Sequence, residues 1–200
     1  MPPDNRQERK RQQTRDRLAQ VAFGLFETHG YDAVTMDHIA TAADVARGTL
    51  YNHFAVKEAV LAHWMHAQLK VDLAPLMAEV MRKTSFNERI ATLLEASAAW
   101  WEQHRRYLAP YIRYPFPTVG QVQAGEEPTS GLVTAYAMLI ERGQRDGEIR
   151  EDASAPRLAH YLHFLYFSAL MRWVDDDDLS LADEFAEVLE FFNEGAMKVR

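Results

Sequence analysis

Apolar residues recur at helical spacing along most of the chain. Leu18, Val21, Ala22, Leu25 and Phe26 fall at i, i+3, i+4, i+7 and i+8, one stripe of a helix over 6–29 that Gly30 caps. Thr35 is a good N-cap for a short helix over 36–42, with Ile39 and Ala40 turned inward. Residues 43–46 make a turn, and 47–53 a third helix held by Leu50 and Phe54. A fourth helix opens at Lys57 and carries Val60, Leu61, Trp64 and Met65; Pro75 should kink or end it. Further helices are predicted over 86–104, 107–114, 132–145, 156–174 and 181–198. Pro115 and Pro117 close one of them, Pro156 sits at the start of another, and the last bears the long stripe Leu181, Phe185, Val188, Leu189, Phe192, Ala196 and Val199. The Pro- and Gly-rich stretch 115–131 is expected to be a loop, the most mobile of the chain. The pattern predicts an all-α protein of about nine helices, with no strand and no internal repeat.

The third helix is too short and too polar on one side to exist for its own packing. It begins Arg47-Gly48-Thr49 and continues with Tyr51, Asn52 and His53 beside the apolar anchor Leu50. Two short helices joined by a tight turn make a helix-turn-helix, whose second helix enters the major groove while the first crosses the backbone. Thr35 and Thr49 offer hydroxyls to phosphates, and Arg47 reaches a phosphate or a guanine edge. Gly48 removes a side chain where a duplex would press close. Tyr51 packs inward and bonds a phosphate through its tip. Asn52 and His53 suit base edges or phosphates, and Lys57 stands with the free N–H groups at the start of the fourth helix. Residue type alone does not divide these into phosphate and base contacts.

The run GYDAVTMDHIATAADVARGTLYNHFAVKEAVL, residues 30–61, resembles the DNA-binding domain of the TetR family of transcriptional regulators. The elements that carry the resemblance are Gly30-Tyr31, Val34-Thr35, Ile39-Ala40, Ala43, Val45, Gly48-Thr49-Leu50-Tyr51, Phe54 and Lys57-Glu58. Farther on it is looser: Gly143-Gln144, Gly147-Glu148-Ile149 and a final apolar helix. Two positions depart from the family pattern. Asp44 stands in the turn where the family usually has glycine, and Ala46 where a serine or threonine commonly caps the recognition helix. The first asks an L-residue to adopt φ > 0, which Asp tolerates better than most. The second loses a cap hydroxyl, worth roughly 1 kcal/mol. The resemblance implies a DNA-binding domain over 1–56 and a ligand-binding and dimerisation domain over 57–200. It further implies a homodimer through a four-helix bundle built from 156–174 and 181–198 of each chain, and a palindromic operator.

Charge sharpens this division. The net charge of −7 argues against a protein that coats DNA generally. Yet residues 1–17 hold six Arg or Lys against three Asp or Glu, while 58–200 hold fourteen against twenty-two. The basic start fits either a frayed, solvated helix end or a local surface for phosphates. There is no cysteine, which excludes disulfides, thiol catalysis and cysteine-based zinc sites and fits a cytoplasmic protein. No stretch is long and apolar enough to span a membrane, and the charged N-terminus is no signal peptide.

The second domain is rich in aromatic residues. Core packing is their default role, but the family likeness raises the prospect of a pocket for a hydrophobic or aromatic small molecule. Trp64, Trp101, Tyr107, Tyr111, Tyr136, Phe164 and Phe167 are the candidate ligand-binding residues. The pairs His63/His66 and His160/His163 share helix faces, but without a fuller ligand set they read as surface or polar core histidines, and no metal or cofactor is expected. Asp175–Asp178 reads as a solvated break between helices. The expected function is a ligand-responsive transcriptional regulator, a repressor released by its effector. An all-α enzyme or small-molecule carrier with an incidental helix-turn-helix is the alternative. No nucleophile triad, paired-acid motif or glycine-rich phosphate loop supports it, so no catalytic residue is assigned.

Overall fold

The computed structural model describes residues 4–113 and 131–197. Among them lie nine helices: α1 Asp4–His29, α2 Met36–Ala42, α3 Arg47–His53, α4 Lys57–Val80, α5 Phe86–Gln103, α6 Arg105–Arg113, α7 Leu132–Arg145, α8 Ala155–Asp175 and α9 Leu181–Ala196. The described residues contain no strand, only one isolated bridge between Ile149 and Met197. The expected loop over 115–131 falls, apart from Gly131, outside the described residues.

Of the two outcomes expected at Pro75, a kink or an end, the end does not occur: α4 continues to Val80. Proline removes one N–H, so the carbonyl of Val71 loses its helical partner. Val71 and Pro75 are both exposed, so water can take that carbonyl and the helix survives.

The chain forms two compact units. The first comprises described residues 4–68 and 110–113, the second 69–109 and 131–197. α4 contributes to both. In the first unit Leu18, Ala22, Phe26, Val34, Ile39, Leu50, Phe54, Val60 and Leu61 are essentially fully buried. They come from the apolar stripes of α1, α2, α3 and α4 and from the connections that hold Val34 and Phe54. Gly30, with φ of 81°, ends α1 in a left-handed turn that returns the chain toward α2.

The second unit packs α7 on α8, α9 on α5 and α8, and α5 on α7. Its helices begin where the side chains dictate. Ser85 and Glu88 form a capping box at α5, and the bonds from Thr84 and Ser85 hold the Glu88 carboxyl down at about 2. Ser180 caps α9 through the Asp183 N–H. At the end of α7 the N–H groups of Glu148 and Ile149 both donate to the Gly143 carbonyl, 2.8 and 3.2 Å away. A Cβ on Gly143 would lie 2.8 Å from the Ile149 side chain, so glycine is required there by packing. Arg89, almost fully buried, donates to the Lys83 and Thr84 carbonyls and faces the carboxylates of Asp146 and Glu148 at 3.4 and 3.5 Å. One buried cation thereby joins the α4–α5 and α7–α8 connections.

Candidate nucleic-acid interface

The helix-turn-helix is built from short-range interactions. The Thr35 hydroxyl accepts from the His38 N–H at 3.2 Å and starts α2. α2 ends at Ala43, and the chain then turns through Asp44 at φ 51°, a left-handed conformation that favours glycine. The Val45 N–H closes the turn on the Ala40 carbonyl at 3.0 Å. Ala46 has the extended geometry of an N-cap, φ −63° and ψ 143°, without a side-chain acceptor. Arg17 of α1 donates to the Ala43 carbonyl and fixes the turn against the first helix.

α3 is anchored by one buried face and presents the other to solvent. Leu50 and, just beyond the helix, Phe54 are buried, while Arg47, Gly48, Thr49, Tyr51 and Asn52 are exposed. A Cβ added at Gly48 would meet nothing within 4 Å, so no contact inside the chain calls for glycine at this position. The Arg47 guanidinium lies 3.0 Å from the Asp37 carboxylate and 5.5 Å from the Tyr51 ring centroid. His53 is half-buried, and burial first, then the cations Arg11 and Arg15, lower its pKa. Its ring is therefore neutral near pH 7, with Nδ1 buried and unpartnered among the described residues.

Lys57 is placed differently from the other candidates. Its ammonium donates to the Tyr31 carbonyl at 2.7 Å and the Val34 carbonyl at 2.9 Å, and lies 4.1 Å from the Tyr31 ring centroid. Two of its three N–H donors hold the turn between α1 and α2. Nothing in the sequence signals this, because the two carbonyls lie more than twenty residues away along the chain.

A cavity of about 170 Å³ opens in the second unit. Leu69, Asp72, Leu73 and Leu76 of α4, Leu93, Ala96, Ser97 and Trp100 of α5, Leu132 of α7 and Tyr166 of α8 line it. Half of its lining residues are leucines. At one point the Ser97 and Tyr166 hydroxyls pair at 2.7 Å, and the Trp101 indole N–H donates to the same tyrosine oxygen at 2.6 Å. The Asp72 carboxylate accepts from the Trp100 indole at 3.2 Å.

None of the seven candidate ligand residues lines this cavity. Trp64 belongs to the first unit, where it stacks on Phe23 and donates to Gln20. Tyr111 bonds His66 in that unit at 2.9 Å. In the second unit Trp101 stands behind the lining residue Tyr166. Tyr107 is buried, with the Arg106 guanidinium 5.0 Å from its ring centroid. Tyr136 is fully buried. Phe167 packs on His163, and Phe164 is exposed on α8. The α4 leucines that line the cavity recur at i, i+4 and i+7, on either side of Pro75. Among the described residues no three His, Cys, Asp or Glu side chains converge as a metal site, and no helix is long and apolar enough to cross a membrane.

Residues 18–63 match the family model for bacterial regulatory proteins of the tetR family. Over these residues the chain has the helix-turn-helix domain of that family. The described structure superposes on FadR of Thermus thermophilus, a tetR-family repressor solved with lauroyl-CoA, with a TM-score of 0.74 and 29% identity over 93% of this chain and 96% of that one. By sequence it is 25% identical to the regulator MftR of Mycobacterium tuberculosis, covering 98% of this chain and 97% of that protein. It is also 25% identical to the transcriptional repressor DhaR of a Mycobacterium species, over 88% and 89% of the two chains. With a tetR-type helix-turn-helix, an exposed recognition helix and likeness to such regulators over most of its length, the chain is read as a DNA-binding transcriptional regulator.

Proposed function

We propose that the protein is a cytoplasmic repressor that binds a palindromic operator as a homodimer and leaves it when a hydrophobic or aromatic effector binds. The observation that carries the DNA-binding half is α3: a polar, exposed face with a glycine that nothing inside the chain requires. Arg47, Gly48, Thr49, Tyr51, Asn52 and His53 form the DNA-contacting set, with Thr35 giving its hydroxyl hydrogen to a phosphate. Lys57 has one N–H left for a phosphate, and its main work is to hold the turn behind the recognition helix. DNA recognition belongs to residues 1–56 and effector binding and dimerisation to 57–200.

The effector reading rests on the leucine-lined cavity. An apolar cavity of about 150 Å³ is large enough to bind benzene, so a ring or a short alkyl segment fits one of about 170 Å³. No Lys or Arg lines it among the described residues, which suits an apolar moiety better than an anionic one. Trp101 and Tyr136 act behind this wall and not within it. The relative from Thermus thermophilus was solved with an acyl-CoA, and an acyl chain is one apolar group of the right kind.

The dimer reading rests on α8 and α9. Tyr161, Phe164 and Met171 leave an apolar stripe exposed on α8, and Phe191 does so on α9. A symmetric pairing of these faces would bury them and place two recognition helices roughly 34 Å apart or somewhat more. A gel-shift against fragments of the source genome tests the DNA reading; a protein that retains no palindromic fragment is not an operator-binding repressor. Leu93→Trp tests the cavity. It should leave operator binding intact and abolish the response to lauroyl-CoA or to an active aromatic effector, whereas an unchanged response places the effector elsewhere.

A further inference from the structure

α1 is longer than its core requires. Leu18 is its first buried apolar residue, yet the helix begins at Asp4. The intervening turns carry Arg6, Arg9, Lys10, Arg11, Arg15 and Arg17 against three acidic residues, in a protein whose net charge is −7. Arg6, Arg9, Lys10, Gln13 and Arg17 fall at i, i+3, i+4, i+7 and i+11, so they share one helix face. All five are exposed, and no described carboxylate pairs with Arg6, Arg9 or Lys10.

This face is continuous with the helix-turn-helix. Lys10, Gln13, Thr14 and Arg17 line a groove with Val45 of the turn, and Arg17 donates to the Ala43 carbonyl at the end of α2. On the adjoining face Arg15 lies 4.7 Å from the Phe54 ring centroid, directly after the recognition helix. Arg11 and Arg15 are near enough to His53 to lower its pKa. The cations therefore surround the turn and one end of α3.

We propose that the first turns of α1 are a second DNA contact: Arg6, Arg9 and Lys10 form a cationic rail that takes the phosphate backbone beside the recognition helix. The proposal rests on the DNA-binding reading and adds a surface to it. From Arg6 to Arg17 the helix rises about 16 Å, enough to run past several phosphates of a duplex carrying one charge per roughly 3.4 Å of axis on each strand. Arginine and lysine at helical spacing, without a base-reading partner beside them, give affinity and orientation with no sequence preference. A merely solvated helix end would hold the same charges and bind nothing.

The test is the triple variant Arg6→Gln, Arg9→Gln, Lys10→Gln, whose glutamines keep helix propensity. Binding of the full-length protein to a mixed-sequence duplex is followed by fluorescence anisotropy across a sodium chloride series. Three lost phosphate contacts should flatten the slope of log K against log salt by about 2.7 and weaken binding more than tenfold at moderate salt. Lys70→Gln, Arg145→Gln, Arg157→Gln, with the same charge change on exposed residues of the second unit, is the control and should leave the slope unchanged. If wild type binds and the α1 variant keeps its slope, or if the control loses as much, the rail is wrong while the helix-turn-helix reading stands. If wild type fails to bind the duplex even at low salt, the DNA-binding reading falls and takes the rail with it. Circular dichroism verifies that all three proteins are equally helical.

Discussion

Lys57→Met separates two roles for one residue. Methionine keeps most of the apolar stem and removes the ammonium, so the Tyr31 and Val34 carbonyls lose donors at 2.7 and 2.9 Å and the Tyr31 ring loses a cation 4.1 Å from its centroid. A hydrogen bond to a charged group contributes roughly 1.5–3 kcal/mol, and an exposed cation–π contact roughly 0.5–1 kcal/mol. Lys57 is half-buried, so water can reach part of what is left behind and the lower ends apply. Two hydrogen bonds and one cation–π contact at those lower ends give an expected loss of about 3.5 kcal/mol, a large share of a marginal stability. Urea unfolding should show the midpoint falling, and hydrogen exchange should show the α2 amides losing protection first, because the released turn leads directly into α2. If Lys57 served phosphate alone, the midpoint would hold and only the salt slope of DNA binding would drop, by about 0.9. An unchanged urea midpoint with unchanged α2 protection would refute the clamp.

Three other changes follow from the geometry. Ala46→Ser puts an acceptor on a residue already at N-cap dihedrals, and should stabilise the protein by about 1 kcal/mol, read as a raised urea midpoint; a fall would mean that the cap geometry is not available to a serine. Tyr136 is fully buried with its hydroxyl unpartnered among the described residues, so Tyr136→Phe should stabilise by about 1–2 kcal/mol, and a clear loss of stability would reveal a partner for that oxygen. His163 has its pKa pushed down to about 4, first by burial and then by His160. The unfolded chain takes up this proton near pH 6.5 and the folded one resists it, so stability is full above that pH, declines from about 6.5 toward 4 and then levels. Thermal unfolding across that window should show the decline, and His163→Leu should remove its share; an identical profile in the variant would assign the decline to other groups.

The DNA-binding element was legible because its determinants are local. Thr35 caps the helix that begins one residue later, Asp44 supplies the φ > 0 of its own turn, and Leu50 on α3 and Phe54 just after it are buried four residues apart. The two departures from the family pattern behave as their chemistry demands: Asp44 adopts the left-handed turn, and Ala46 caps without a hydrogen bond. Each such feature needs a window of only a few residues. The two acceptors of Lys57 do not fall in such a window, because backbone carbonyls have no sequence signature and these two lie across a tertiary contact.

The cavity was illegible for a related reason. Its lining comes from α4, α5, α7 and α8, and most of it is aliphatic, indistinguishable in sequence from core. Weighting aromatic residues selected those that fill space, such as Tyr107 and Tyr136, since large rings are what a packed interior uses most efficiently. A cavity is marked instead by what does not fill it. The half-buried leucines Leu69, Leu73 and Leu76 keep one flank unmatched along a helix that Pro75 was expected to kink or end. The helix-turn-helix of this chain is therefore written in contiguous residues, whereas the lining of the cavity is spread thinly over four helices. In α4 the two kinds of determinant follow each other on a single helix, from the Lys57 clamp to the Leu69–Leu76 wall, so under the proposed effector reading substitutions at Leu69, Leu73 or Leu76, and not at Lys57, should alter the effector response while leaving operator choice alone.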